Sequence, residues 1–221
     1  MQVISKARVP IIKYIDRVTA YPVDISFNVT SGTESGDLVT KYSGMYPALR
    51  PLTLLLKHFL EMRGLNEVYT GGIGSYTCTC LVLSFLQTHP LAQSGIIRPH
   101  ENLGVMLLEI LELYGKHFNY EQVGIAVNPV VEGEFYFDKI ERGWVNEQRP
   151  GVLSLEDPQN RENDISKGSF SFYMVRQALE HGHSVLVSAL AEFESALLDR
   201  HKPSKVDTSR ISILASIIRL S

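Results

Sequence analysis

The sequence predicts an α+β fold: a short antiparallel strand pair followed by a mainly helical region. Three patterns lead to this. Residues 23–28, V-D-I-S-F-N, alternate apolar and polar with the period of a half-buried strand. Leu52, Leu55, Leu56, Phe59 and Leu60 recur at the spacing of one helical stripe. Tyr76, Cys78, Cys80, Leu81, Val82, Leu83, Phe85 and Leu86 make a third segment apolar on almost every side, which is the pattern of a buried helix.

Composition sets outer limits on function. The chain has 221 residues, 44% hydrophobic and 20% charged, enough for a sizeable core in one or two domains. Its formal net charge of -3 excludes a protein that grips nucleic acid by overall charge. Any nucleic-acid role must rest on a local groove or on a partner protein. Cys78 and Cys80 are the two cysteines, and their C-x-C spacing puts them on different sides of a helix. That is neither a disulfide framework nor a zinc site, so buried thiols in a reducing compartment are expected. No apolar run reaches the length of a membrane span and the N-terminus lacks a signal-peptide core, so the reading is a soluble intracellular protein.

In chain order, Gln2 to Tyr14 reads as a strand rich in Val and Ile, with Pro10 keeping part of it from full pairing. Asp16 to Pro22 is a turn. The alternating strand follows, with Asp24, Ser26 and Asn28 on its polar side. A carboxylate at Asp24, on a short strand beside a turn, suits a metal ligand or a general base, and equally a solvated aspartate. Ser31 to Gly36 is a small-residue loop. Pro47 to Arg63 is a helix that carries a second, polar stripe of Arg50, Thr53, Lys57 and Glu61. Lys57 is either a surface residue loosely paired with Glu61 or a cation aimed at an anion.

Thr70 to Pro90 is the most informative stretch. Gly71, Gly72 and Gly74 form a loop that opens the buried helix at Ser75, and Pro90 closes it. A helix N-terminus behind a glycine loop offers free N–H groups and the positive end of the helix dipole to phosphates. The plainer alternative is a tight turn into the core.

Beyond it, Gln93 to Glu101 is a loop, and Asn102 to His117 a helix with Leu103, Met106, Leu107, Ile110, Leu113 and Tyr114 in period. Ile125 to Val127 and Glu134 to Phe137 form a hairpin. Glu141 to Pro150 is a polar loop with Trp144 as a packing anchor. Residues 156–170, E-D-P-Q-N-R-E-N-D-I-S-K-G-S-F, are polar, turn-rich and too elaborate for a connector. A long helix or helix pair runs from Phe170 to about Leu198, with Gly182 as a candidate kink. A polar break from His201 to Thr208 precedes a short amphipathic helix, Ile211 to Leu220. His181 and His183 do not share a helix face, so they read as surface or core histidines rather than a metal pair.

Taken together, A-R-V-P-I-I-K (7–13), V-D-I-S-F-N (23–28), L-K-H-F-L-E-M-R-G-L-N (56–66), Y-T-G-G-I-G-S-Y (69–76), N-L-G-V (102–105) with E-L-Y-G-K-H-F (112–118), and the 156–170 stretch resemble the noncanonical poly(A) polymerases of the TRAMP type, once called DNA polymerase sigma. These belong to the DNA polymerase beta-like nucleotidyltransferases, which add adenosines to RNA 3′ ends at a two-metal site holding Mg2+ or Mn2+. The resemblance implies residues 1–42 as a remnant of the catalytic palm, packed on a helical central domain at 43–221 with its nucleotide recognition motif at 156–170.

It also implies roles. Asp24 matches the third catalytic carboxylate, a metal ligand that helps activate the RNA 3′-hydroxyl. Gly32 matches a glycine approaching the nucleotide, and Lys57 a lysine on the triphosphate. Ser75 matches a phosphate-binding serine, Tyr76 an aromatic stacked on the base, and Asn163 a reader of the base. Asp157 matches a residue shaping that loop. Lys167 stands where relatives usually have Arg; it keeps the charge but loses the bidentate fork.

The family's first two carboxylates, a D-x-D after a G-S, have no counterpart in residues 1–23. Two-metal catalysis needs a clamp on both the attacking and the leaving oxygen, so the chain alone is expected to be inactive: a fragment, a truncated gene product or a degenerate copy. The implied activity is ATP-dependent polyadenylation of nuclear RNA, marking it for the exosome. The implied setting is the nucleus or nucleolus, with a zinc-knuckle RNA-binding protein and an RNA helicase as partners. Alternatives are a terminal uridylyltransferase, which Asn163 disfavours because uridine-selective relatives often have histidine there, and a non-catalytic nucleotide-binding or scaffolding remnant.

Overall fold

The computed structural model describes residues 1–5, 10–27, 31–128, 133–198 and 212–218. It divides into two compact units, Met1–Lys41 and Tyr42–Ser221.

In the first unit, β1 (Gln2–Ile4), β2 (Ile11–Ile15) and β3 (Pro22–Ser26) form an antiparallel sheet in that order. The single strand expected over Gln2 to Tyr14 is therefore two; the residues joining them, 6–9, lie outside the described ones, as do Asn28 and Thr30. The β2–β3 hairpin is as expected. Val3 pairs with Ile12 and Ile12 with Ile25, while Tyr14 pairs with Val23, so one face is wholly apolar. Gln2, Lys13 and Asp24 are in register on the other face. The turn closes on Asp16, whose Oδ2 accepts the backbone N–H and hydroxyl of Thr19 at 2.8 and 2.7 Å. Those bonds hold the Asp16 carboxyl below its ordinary pKa, the Thr19 hydroxyl contributing most.

Helix α1 (Ser31–Met45) replaces the loop expected at Ser31 to Gly36. The Ser and Gly content argues for a loop. The stripe from Ser35 through Leu38 and Val39 to the buried Tyr42 gives the segment a helical face all the same, and Glu34 lies in the first turn, where the dipole favours an acid.

The second unit is built on α2 (Leu49–Glu61), α3 (Ser75–Thr88), α5 (Leu103–Glu112, continued as a π-helical turn through His117) and α6 (Phe172–Leu198), with a short α4 (Pro90–Gln93) between α3 and α5. The α2 stripe is buried as its spacing predicts at Leu52, Leu56, Phe59 and Leu60. Helix α3 is buried from Thr77 to Gln87, so its all-round apolar sequence is a central core helix. Both cysteines are free and buried within it.

Helix α6 is one helix, and Gly182 serves a different purpose from a kink. A Cβ there would stand 2.8 Å from the Phe59 ring, so the glycine lets α6 lie against α2. His183, one residue on, is buried and accepts from the Lys116 ammonium at Nδ1, 2.7 Å away. The last segment is a 3₁₀ turn, Ile213–Ser216, not the amphipathic helix expected over Ile211 to Leu220. The polar break at 201–208 lies outside the described residues.

Two small hairpins complete the unit. β4 (Val123–Ile125) pairs with β5 (Tyr136–Asp138), close to the expected positions. β6 (Glu156–Asp157) pairs with β7 (Asn160–Asp164), where the sequence predicts only an elaborate loop. Ile125 bridges Leu155 in parallel, tying the two together. Trp144 packs edge-on to Phe137, with ring centroids 5.1 Å apart, as an anchor should. Lys139 has no signal in the sequence pattern. Fully buried, it donates to the carbonyls of Tyr120, Val152 and Pro150 at 2.8, 3.0 and 3.3 Å, and burial lowers its pKa. Among the described residues, no helix is long and apolar enough to cross a membrane.

Candidate nucleotide-binding site

Four of the sequence-predicted residues lie in the second unit: Ser75 and Tyr76 open α3, Lys57 is on α2, which packs against α3, and Asn163 is on β7. Gly71 and Gly72 make the approach possible. Gly71 has φ of +87°, a region that L side chains rarely adopt, and a Cβ on Gly72 would lie 2.2 Å from the Leu65 carbonyl oxygen. The chain then extends through Gly74 and enters α3 at Ser75 with no side-chain cap. An uncapped N-terminus leaves N–H groups and the positive dipole end available to an anion. Ser75 is exposed and Tyr76 half-buried at this end.

Lys57 stands half-buried on α2, which packs against α3. Its ammonium acts electrostatically on the Cys78 thiol, one helical turn below Ser75 on the same face. Burial pushes that thiol up to about 12, with Lys57 opposing. The expected loose pairing with Glu61 is absent: Glu61 faces His58, at 3.8 Å. Lys57 meets no carboxylate within ion-pair distance among the described residues, so its charge is available.

The other flank is built from Tyr76, Cys80 and the β6–β7 hairpin. Burial raises the Cys80 thiol most and the Asp157 carboxylate raises it further, while the Tyr76 side chain lowers it. Tyr76, Cys80 and Asp157 are therefore neighbours. The Thr77 hydroxyl donates to the Ile165 carbonyl at 3.1 Å, pinning the end of the hairpin to α3. Within the hairpin, Asn163 Nδ2 donates to Asp157 Oδ2 at 2.9 Å. Asp164 Oδ1 accepts the backbone N–H of Ser166 and of Leu155 at 2.8 and 3.1 Å, closing the loop. Glu156, buried, is held by Arg142, with Arg161 3.7 Å away. The sequence flagged this stretch by its polarity but gave no sign of the Arg142 contact, which comes from the preceding loop.

The remaining predicted residues lie on other elements. Lys167 is exposed just beyond the hairpin, without an ion pair among the described residues. Gly32 and Asp24 belong to the first unit. Gly32 sits in the first turn of α1, in a helix rather than the expected loop, and a Cβ there would meet nothing within 4 Å. Asp24 lies on β3 as read, half-exposed, with Lys13 Nζ 3.2 Å from Oδ2. Its ion-pair partner among the described residues is thus a cation. Among the described residues no group of three His, Cys, Asp or Glu side chains could hold a metal ion.

A large cavity, about 810 Å³, opens near the far end of α3 between Tyr46, Leu86, Gln87, Arg98 and Phe135. None of the predicted residues lines it.

The fold is that of part of a nucleotidyltransferase polymerase core. The structure superposes on the solved polymerase core of TRAMP, an RNA surveillance complex, with a TM-score of 0.83 and 35% identity over 99% of this chain and 65% of that one. Residues 102–163 match the family model described as Cid1 family poly A polymerase. The poly(A) RNA polymerase cid14 of Schizosaccharomyces pombe is 47% identical over 197 residues, 89% of this chain and 28% of that protein. The inactive noncanonical poly(A) RNA polymerase protein Trf4-2 of Drosophila melanogaster is 32% identical over 226 residues, 99% of this chain and 51% of its own length. The chain belongs to the noncanonical poly(A) RNA polymerase family, and spans about half or less of the length of these two relatives.

Proposed function

We propose that this chain is the ATP-binding part of a poly(A) RNA polymerase. The triphosphate lies across the uncapped start of α3, held by Ser75 and the available Lys57 ammonium. The base stacks on Tyr76, where stacking contributes about 1–3 kcal/mol and tolerates any base. Asn163 then chooses among bases. Asp24 serves as one carboxylate of the family's divalent-metal site, which supplies charge neutralisation for phosphoryl transfer. Gly32 and Lys167 are nucleotide contacts in the same reading. Polymerisation belongs to the whole protein, acting on RNA 3′ ends in the nucleus within a TRAMP-like assembly that includes a zinc-knuckle protein and a helicase.

One observation carries the adenosine assignment. The Asp157 carboxylate can only accept, so it fixes which way the Asn163 amide turns. The Asn163 Oδ1 is left over as an acceptor for a base amino group. Adenine offers a 6-amino donor at the edge where uracil presents a carbonyl. Titration of the chain with ATP and with UTP tests this: ATP should bind more tightly, and a preference for UTP defeats the assignment.

The relationship to the inactive Drosophila protein supports a second reading, a nucleotide-binding member that does not polymerise. Tight ATP binding without AMP addition by the whole protein would favour it.

A further inference from the structure

Two abutting segments beside the candidate site carry an unusual surface. The Ser171 N–H donates to the Gly71 carbonyl at 2.9 Å, and a Cβ on Gly71 would meet the Phe170 ring at 2.6 Å. A Cβ on Gly168 would meet Val68 at 2.5 Å. Residues 68–71 and 168–171 are therefore packed against each other. On them, or one turn into α6, stand Tyr69, 94% exposed, Tyr173, 61% exposed, and Phe170, 48% exposed, with Val68 and Met174 also exposed. A lone exposed apolar residue means little, but a cluster of large ones marks a contact surface.

Charge selects the partner. Arg149 donates to the Phe170 carbonyl at 3.2 Å, with its guanidinium carbon 5.8 Å from that ring's centroid. Lys167 is exposed at the end of the same segment. Neither cation meets a carboxylate among the described residues, and Glu67 is the acid nearest in sequence to the first segment. Exposed aromatic rings flanked by unneutralised cations suit an extended polyanion with flat, stackable groups. A duplex hides those groups; a single strand offers them. The net charge of -3 makes such a local surface necessary if the chain itself is to touch nucleic acid.

We propose that Tyr69, Phe170 and Tyr173, with Arg149 and Lys167, form a stacking platform for single-stranded RNA next to the nucleotide site. It receives bases of the strand being extended, and Arg149 neutralises a phosphate. This inference rests on the polymerase reading above and adds a docking surface to it.

The test measures binding of a fluorescent single-stranded oligoadenylate to the 221-residue chain, with ATP binding and thermal unfolding followed in the same samples. Tyr69→Ala and Tyr173→Ala should each weaken oligonucleotide binding roughly ten-fold, while Tyr69→Phe keeps it. ATP affinity and the melting temperature should stay as in the parent. Arg149→Gln should reduce the dependence of log K on log salt by about 0.7, the loss of one phosphate contact on a single strand. Unchanged oligonucleotide affinity in both tyrosine variants overturns the platform and leaves a protein as the surface's partner. A parent chain that binds ATP but no oligonucleotide also overturns it, with the nucleotide site intact. A parent chain that binds neither overturns the polymerase reading as well.

Discussion

Asn163 is held by Asp157 through a 2.9 Å hydrogen bond across the β6–β7 hairpin, amide nitrogen to carboxylate oxygen. The direction is forced, because an ionised carboxylate has no proton to give. In the proposed reading Asn163 reads the base by its oxygen, and Asp157, on β6, fixes the amide's orientation from six positions away.

Asp157→Asn therefore ought to loosen selectivity more than affinity. The new amide can donate or accept, so Asn163 gains a second orientation of similar energy. A hydrogen bond to a charged group contributes about 1.5–3 kcal/mol, enough to move discrimination roughly ten-fold or more. Competition between ATP and UTP for the variant should show the ratio falling toward one, with ATP affinity reduced only a few-fold. If the ratio stays at the parental value, Asp157 only braces the turn.

Lys57→Ala separates a phosphate contact from a surface residue. Lys57 has no ion pair to lose among the described residues, so the fold should hold and the melting temperature should move little. Losing a charge-assisted bond to the triphosphate should weaken ATP by roughly 10- to 100-fold. Adenosine, which carries no phosphate, should bind parent and variant alike. Calorimetric titration with both ligands decides it; an equal loss for adenosine would mean that the pocket itself had been disturbed.

The sequence showed the site's frame well wherever burial or glycine imposed it. The α3 helix was legible because no solvated face interrupts Cys78 to Leu86, and the turn before it because only glycine suits the φ of Gly71. Helix α1 was not, since Ser31 to Gly36 has loop composition and its helical stripe becomes clear only at Leu38 and Tyr42. Nor was β6–β7: a hairpin reading E-D…N-R-E-N-D has no apolar alternation to betray it, being held by side-chain bonds at Asp157 and Asp164 instead. Contacts between distant polar groups, such as Lys139 with the Val152 carbonyl or Arg142 with Glu156, leave no periodic trace at all.

Acid should weaken the second unit through His183. Burial first, and the Lys116 ammonium second, hold its pKa below the ordinary value, against a smaller opposing pull from Glu112; His117 adds to the lowering. The Lys116 bond to Nδ1 requires a ring nitrogen without a proton, so the folded chain prefers neutral His183. The unfolded chain takes up that proton near the usual value of about 6.5. Stability is therefore full above about pH 6.5 and falls as pH drops from there through the lower folded pKa. Below that value both states carry the proton and this contribution is gone. His183→Gln retains an acceptor for Lys116 but cannot titrate. Urea midpoints for parent and variant should run together above neutrality, and the parent's should fall more steeply as pH drops below about 6.5. Parallel curves across that range would assign the acid sensitivity to other groups, with the carboxylates next in line.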